Sequence, residues 1–135
     1  MIGEICMNRI AIKIKAKNRV KAIVNCIAQG KFDELASITL IESSWCGDNG
    51  TQEQGIKDFG TWLTEQLTLW SEDEGKEFVV DEFDKKSLDD LDIEDGLIWA
   101  DYSPTSHGEP LDFWFEIQMH IDEKGKLISE FNVNI

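Results

Sequence analysis

Cys46, directly after Trp45, could act as a thiol nucleophile with His107 or His120 as its base. No nucleophile signature surrounds Cys46, and nothing in the sequence ties it to either imidazole. His107 falls in a Ser-His-Gly-Glu turn, and His120 lies on the polar side of an alternating segment. A turn cysteine and two unrelated surface histidines is the reading that this spacing favours. The acidic run Asp89 to Asp95 is the second candidate for chemistry. A calcium loop needs oxygen ligands at alternate positions and glycine at the sixth. Counting from Asp90 places Asp92 and Glu94 correctly but puts Asp95 where the glycine belongs. Residues 85–95 therefore read as a solvated acidic connection. His107 and His120 stand thirteen apart, and Cys6, Cys26 and Cys46 have none of the usual zinc spacing. No cofactor or metal is expected.

These side chains have to be positioned by 135 residues, enough for one domain with a sizeable core. A hydrophobic content of 41% with five Trp and seven Phe argues for a folded chain and against a disordered one. No apolar run reaches the ~20 residues of a membrane span, and residues 1–16 lack the apolar core of a secretory signal. An odd number of cysteines without a CxxC pair fits a reducing compartment. The expectation is a cytoplasmic protein that does not enter a membrane.

The net charge of −14 is unevenly placed. Residues 1–70 carry eight Lys/Arg and eight Asp/Glu, whereas residues 71–135 carry five Lys and nineteen Asp/Glu. In the first half, Arg9, Lys13, Lys15, Lys17, Arg19 and Lys21 follow one another with no acid between them. A field of this sign repels phosphate backbones, so nucleic acid is not an expected partner. A basic protein or a cation is the kind of partner it attracts.

The strongest local pattern is Leu111 to Ile121. Its odd positions, Leu111, Phe113, Phe115, Ile117, Met119 and Ile121, are all apolar, and its even positions are mostly polar. Side chains alternate between the faces of a strand, so this is a half-buried strand with one core face. Leu127 to Ile135 repeats the pattern, and residues 122–126 form the hairpin loop between them. Leu97 to Tyr102 reads as another strand and Phe78 to Phe83 as a fourth, with residues 103–110 as a turn.

Upstream the period changes. Val20, Ile23, Val24, Ile27 and Ala28 form the stripe of an amphipathic helix that Gly30 ends. Ile10, Ile12 and Ile14 alternate with other residues, which leaves residues 1–17 open between helix and strand; helix from about residue 10 is favoured. Lys31 to Ser37 predicts a short second helix, and Thr39 to Trp45 an extended segment. Thr51 and Gln54 have capping-box spacing, and Ile56, Phe59, Leu63, Leu67 and Trp70 predict a helix over residues 52–71. Helices followed by a meander of strands is an α+β order in one domain.

The long helix ending at Gly30 with a short helix behind it resembles the opening of the nuclear-transport-factor-2-like superfamily, which includes ketosteroid isomerase and the SnoaL-like proteins. The third helix with its glycine-rich approach and the closing hairpin, residues 121–131, fit the same plan. The resemblance implies N-terminal helices packed on a curved, mainly antiparallel sheet, a cone-like cystatin-like fold that often leaves a pocket. The superfamily includes isomerases, dehydratases, binding modules and bacterial immunity proteins, so fold does not choose among them. Ketosteroid isomerases use an aspartate base, with a tyrosine and a protonated aspartic acid polarising the substrate carbonyl. This chain has no tyrosine in its first helix; its one tyrosine is Tyr102. Asp101 lies near the place of the oxyanion-side acid and Trp99 shares its face, so the pocket candidates are Trp45, Trp99, Asp101 and Tyr102.

Trp114, with Asp112 and Glu116 on either side, is a large aromatic on a nominally wet strand face, which suggests an interface anchor. Members of the superfamily pair through this sheet face, so the resemblance implies a homodimer. Two functions of different kinds follow as expectations. One is a non-catalytic protein-binding module with an acidic surface, in its specific form an immunity protein that neutralises a basic toxin. In residues 72–95 twelve carboxylates face three lysines. The alternative is a small-molecule-binding protein or enzyme of the SnoaL or ketosteroid isomerase type.

Overall fold

The architecture is α+β, with helices against one face of a mixed, mostly antiparallel sheet. The computed structural model describes residues 2–48 and 50–135, with side chains described from residue 9. Helix α1 spans Ile2–Ala28. The segment left open between helix and strand is therefore helical from residue 2. Ile12, Ala16 and Val20 continue the core stripe upstream at steps of four, while Ile10 and Ile14 face solvent. At the far end Lys31 N–H donates to Cys26 O (2.9 Å) and Gly30 N–H to Ile27 O (3.2 Å), with Gly30 at φ +68°. This is a Schellman motif, and it needs the left-handed residue that glycine supplies.

Helix α2, Phe32–Ile38, leads into strand β1, Leu40–Ile41. The extended segment expected as far as Trp45 is cut short there. The Glu42 carboxylate accepts from the Ser44 amide (3.1 Å) and the Ser44 hydroxyl, folding Ser43–Trp45 into a 3-10 turn. Helix α3 spans Gln52–Glu74, three residues longer than its apolar stripe predicts, and Gly75 at φ +66° ends it. Thr51 caps it by accepting from Gln54 N–H (3.1 Å), but the Gln54 amide turns to Asp58 (2.9 Å), so the capping box is half made.

Residues 78–83 do not join a strand ladder. Their amides go to single partners instead: Val79 to Ser106 Oγ, Asp81 to Thr105 O and Phe83 to Asn25 Oδ1. The acidic segment after them, expected as a connection, is a 3-10 turn, Lys85–Ser87, followed by strand β2, Leu88–Glu94. A bulge between Leu88 and Asp90 shifts the alternation of its apolar residues, which hid the strand from a period-two reading. Strands β3, Leu97–Tyr102, β6, Trp114–Ile121, and β7, Leu127–Asn134, form where alternation places them, although β6 starts three residues later than Leu111. Between β3 and β6, β4 (Thr105–Ser106) and β5 (Glu109–Pro110) make a small separate hairpin. Its turn, His107 at φ +50° and Gly108 at φ +83°, has positive φ at both central residues, as a type I′ turn requires.

The main sheet has the order β1-β7-β6-β3-β2, antiparallel except for the β1–β7 pair, and is open at β1 and β2. The β1 edge is guarded. Gln52 presents its side-chain amide to Ile41 like another strand, accepting from Ile41 N–H (2.7 Å) and donating to Ile41 O (3.1 Å). The inner face is apolar: Ile98, Ala100, Tyr102, Phe115, Ile117, Met119, Phe131 and Val133 are buried together with Val20, Ile23, Val24 and Phe59 of the helices. Phe59 is the hub, meeting Phe32, Trp45, Phe115 and Phe131 edge-on at centroid distances of 5.2–6.3 Å. Among the described residues no helix is long and apolar enough to cross a membrane.

Candidate functional site

Among the described residues no element covers the outer face of the sheet, which holds most of the sheet's charge. Strand pairing fixes which side chains lie side by side there. In one row Asp90 of β2 pairs with Asp101 of β3, Asp101 with Glu116 of β6, and Glu116 with Asn132 of β7. The next row runs Asp92, Trp99, Gln118, Glu130, and the next Glu94, Leu97, His120, Ile128. Paired Cβ atoms in such rows are roughly 4.5–5.5 Å apart, and like charges directly opposite one another destabilise the sheet. No lysine or arginine occupies an outward position on these four strands.

Asp101 shows what this costs. Partial burial pushes its carboxyl pKa up, and Glu116, Asp90, Asp89 and Asp92 push it further in the same direction. Trp99, Trp114 and Leu97 lie exposed on the same face, 38%, 41% and 46% accessible. Apolar surface is thus set among carboxylates that have no ion-pair partner among the described residues.

The residues singled out from the sequence divide between the two sides of the sheet. Trp99 and Asp101 point outward, as do Trp114 and Glu116, and Asp112 is exposed just before β6. Tyr102 points inward, 1% exposed. Its hydroxyl accepts from Asp84 N–H (2.9 Å) and its ring stacks on Phe83 (5.5 Å), so it anchors the segment before β2. Trp45 is half-buried, edge-on to Phe59 (5.6 Å) and Trp62 (5.7 Å). The four pocket candidates thus share no single cavity. Cys46 ends the 3-10 turn against Gly55 of α3, His120 lies on the outer face opposite Leu97, and His107 reaches Glu77 from its hairpin turn (3.4 Å). Among the described residues no three His, Cys, Asp or Glu side chains converge as a metal site.

Composition alone predicts a loop for Asp90, Asp92 and Glu94, which the structure places on β2. Their alternation with Leu91 and Ile93 was the signal that places them on one strand face. No family model, curated protein or solved structure matches the chain.

Proposed function

We propose that this chain is a non-catalytic protein-binding module that engages a basic partner through the outer face of its sheet. The observation that carries this reading is the row Asp90–Asp101–Glu116 beside Trp99 on an uncovered face. A free protein that keeps carboxylates opposite one another loses stability by it, and a cationic partner relieves the repulsion. In its specific form the module is a cytoplasmic immunity protein that neutralises a basic toxin. The helix, Gly30, short-helix opening and the closing hairpin support a nuclear-transport-factor-2-like domain, whose sheet would be curved and cone-like. The test is affinity capture from the source cells by the wild type and by a triple variant, Asp90→Asn, Asp101→Asn, Glu116→Gln. The expected result is a stoichiometric basic protein, released by salt, that the triple variant does not retain. That protein should arrest growth when expressed alone and not when co-expressed with this chain. Equal capture by both baits would defeat the reading.

The raised pKa of Asp101 beside Trp99 favours a second reading, an acid of the ketosteroid isomerase or SnoaL type. On this reading Asp101→Asn folds normally and abolishes turnover or ligand binding. A fully active variant would dismiss it.

A further inference from the structure

Arg19 is a half-buried guanidinium in a chain with 27 acids, yet among the described residues no carboxylate lies within 4.0 Å of it. Its Nη1 donates to Ile38 O (2.7 Å) and to Ser129 Oγ (3.1 Å), both neutral acceptors. Ser129 in turn donates to Thr39 Oγ1 (2.8 Å), and the Thr39 hydroxyl bonds the Ser129 carbonyl (3.1 Å), so the oxygens around Nη1 are tied to one another. Nε and Nη2 have no acceptor among the described residues. One end of the guanidinium is therefore fixed, and the two-nitrogen edge that grips a carboxylate is left free. Removing a charge from water without a partner is unfavourable, and a ligand can supply that partner.

Arg19 opens into a cleft of about 260 Å³ between α1, α2 and the start of β7. Lys126, itself without a carboxylate partner among the described residues, stands at its margin with Ser37. Ala36, Leu40 and Leu127 supply apolar wall. We propose that this cleft binds a carboxylate with a short apolar tail, with Arg19 clamping the head and Lys126 adding a second positive charge. The volume falls below the roughly 300–1,000 Å³ of drug-sized pockets, which limits the ligand to a small acid or a chain end. The cleft meets the outward rows only at Ile128 and none of their carboxylates lines it, so it stands or falls independently of the function proposed above.

Two sources share this chemistry: a free short-chain acid and the C-terminal carboxylate of a peptide. Titration of the intact protein, followed through backbone amide resonances, separates them with hexanoate, acetyl-Ala-Leu, the amide of that dipeptide and inorganic phosphate, all at matched ionic strength. Saturable shifts at Ser37, Thr39 and Ser129, with a Kd of roughly 1–10 mM, are expected for at least one carboxylate and not for the amide. Hexanoate alone would assign a free acid, and acetyl-Ala-Leu alone a chain end. Lys126→Ala, whose side chain makes no bond among the described residues, should weaken binding severalfold with the thermal midpoint unchanged. Arg19→Lys keeps the charge and loses the fork, so it should weaken binding by about tenfold. Absence of saturation, an equal response to phosphate or the amide, or binding indifferent to both variants would overturn the proposal.

Discussion

Asp101 of β3 stands directly opposite Glu116 of β6, and Asp90 of β2 flanks it on the other side. Three carboxylates thus cross three strands in one line. The folded-state pKa of Asp101 is raised, by burial first and by Glu116 and Asp90 next. Between its unfolded and folded pKa the native state holds more of this proton, so stability falls as pH rises through that window. Asp101→Asn should therefore stabilise the protein near neutral pH by roughly 0.2–1 kcal/mol. The advantage should shrink once the carboxyl is protonated in both states. Thermal melts across a pH series would show this, and an advantage that grows in acid would contradict it.

Asp81 has the opposite sign. Burial disfavours its charge, but hydrogen bonds from the Thr105 hydroxyl (2.7 Å), Gly108 N–H (2.8 Å) and His107 N–H (3.0 Å) outweigh that, and its pKa is lowered. Its contribution is complete above the unfolded pKa and is lost as pH falls through the folded one. Asp81→Asn should cost about 1–3 kcal/mol near neutral pH. Urea denaturation should show the wild type losing more stability on acidification than the variant does.

A β-carbon added at Gly60 would come within 2.9 Å of the Phe32 ring, and one at Gly55 within 2.7 Å of Cys46 Sγ and 3.1 Å of Ile41 Cγ2. In mid-helix, alanine gains about 1 kcal/mol over glycine, whereas overpacking costs typically 1–3 kcal/mol. At Gly55 the obstruction includes a core side chain on β1 and the clash should prevail, lowering the denaturation midpoint. At Gly60 the half-buried Phe32 can swing, so the loss should be smaller. An order of Gly60→Ala below Gly55→Ala in stability would contradict this account of the two contacts.

Trp114 is an exposed aromatic at one end of the outer face, opposite Asn134. If two copies pair through that face, Trp114→Ala should give a monomer by light scattering with melting unchanged. An unaltered mass would remove that interface from consideration. Salt separates the two occupants of the face: a basic partner is released as ionic strength rises, whereas an apolar contact between copies is not.

The sheet was readable where its pattern was regular. Phe115, Ile117 and Met119 alternate with Trp114, Glu116 and Gln118, and the pleat turns that alternation directly into an inner and an outer face. Helix α3 was likewise legible from Thr51 and from the spacing of Ile56, Phe59 and Leu63. Reading failed where tertiary partners replace the ladder. Residues 78–83 have the composition of a strand, but Asn25, Thr105 and Ser106 take their amides one at a time. Residues 88–94 look like a loop because the bulge beside Asp89 puts the apolar residues out of step.

The amino-acid sequence by itself determined the α+β order, the core stripe of α1 and the core-facing side of β6 and β7, because those depend on periods of 3.6 and 2 that are local to each segment. It also placed Trp99 and Asp101 on a common face. Only the tertiary structure decided that this face is the outer one, that Tyr102 lies on the other, and that Asp90 and Glu116 flank Asp101. Register is a relation between strands distant in the chain, set by which faces pack against Phe59 and the helices. The free edge of Arg19 belongs to the same class, since its two acceptors lie 19 and 110 residues away and meet it only in the folded chain.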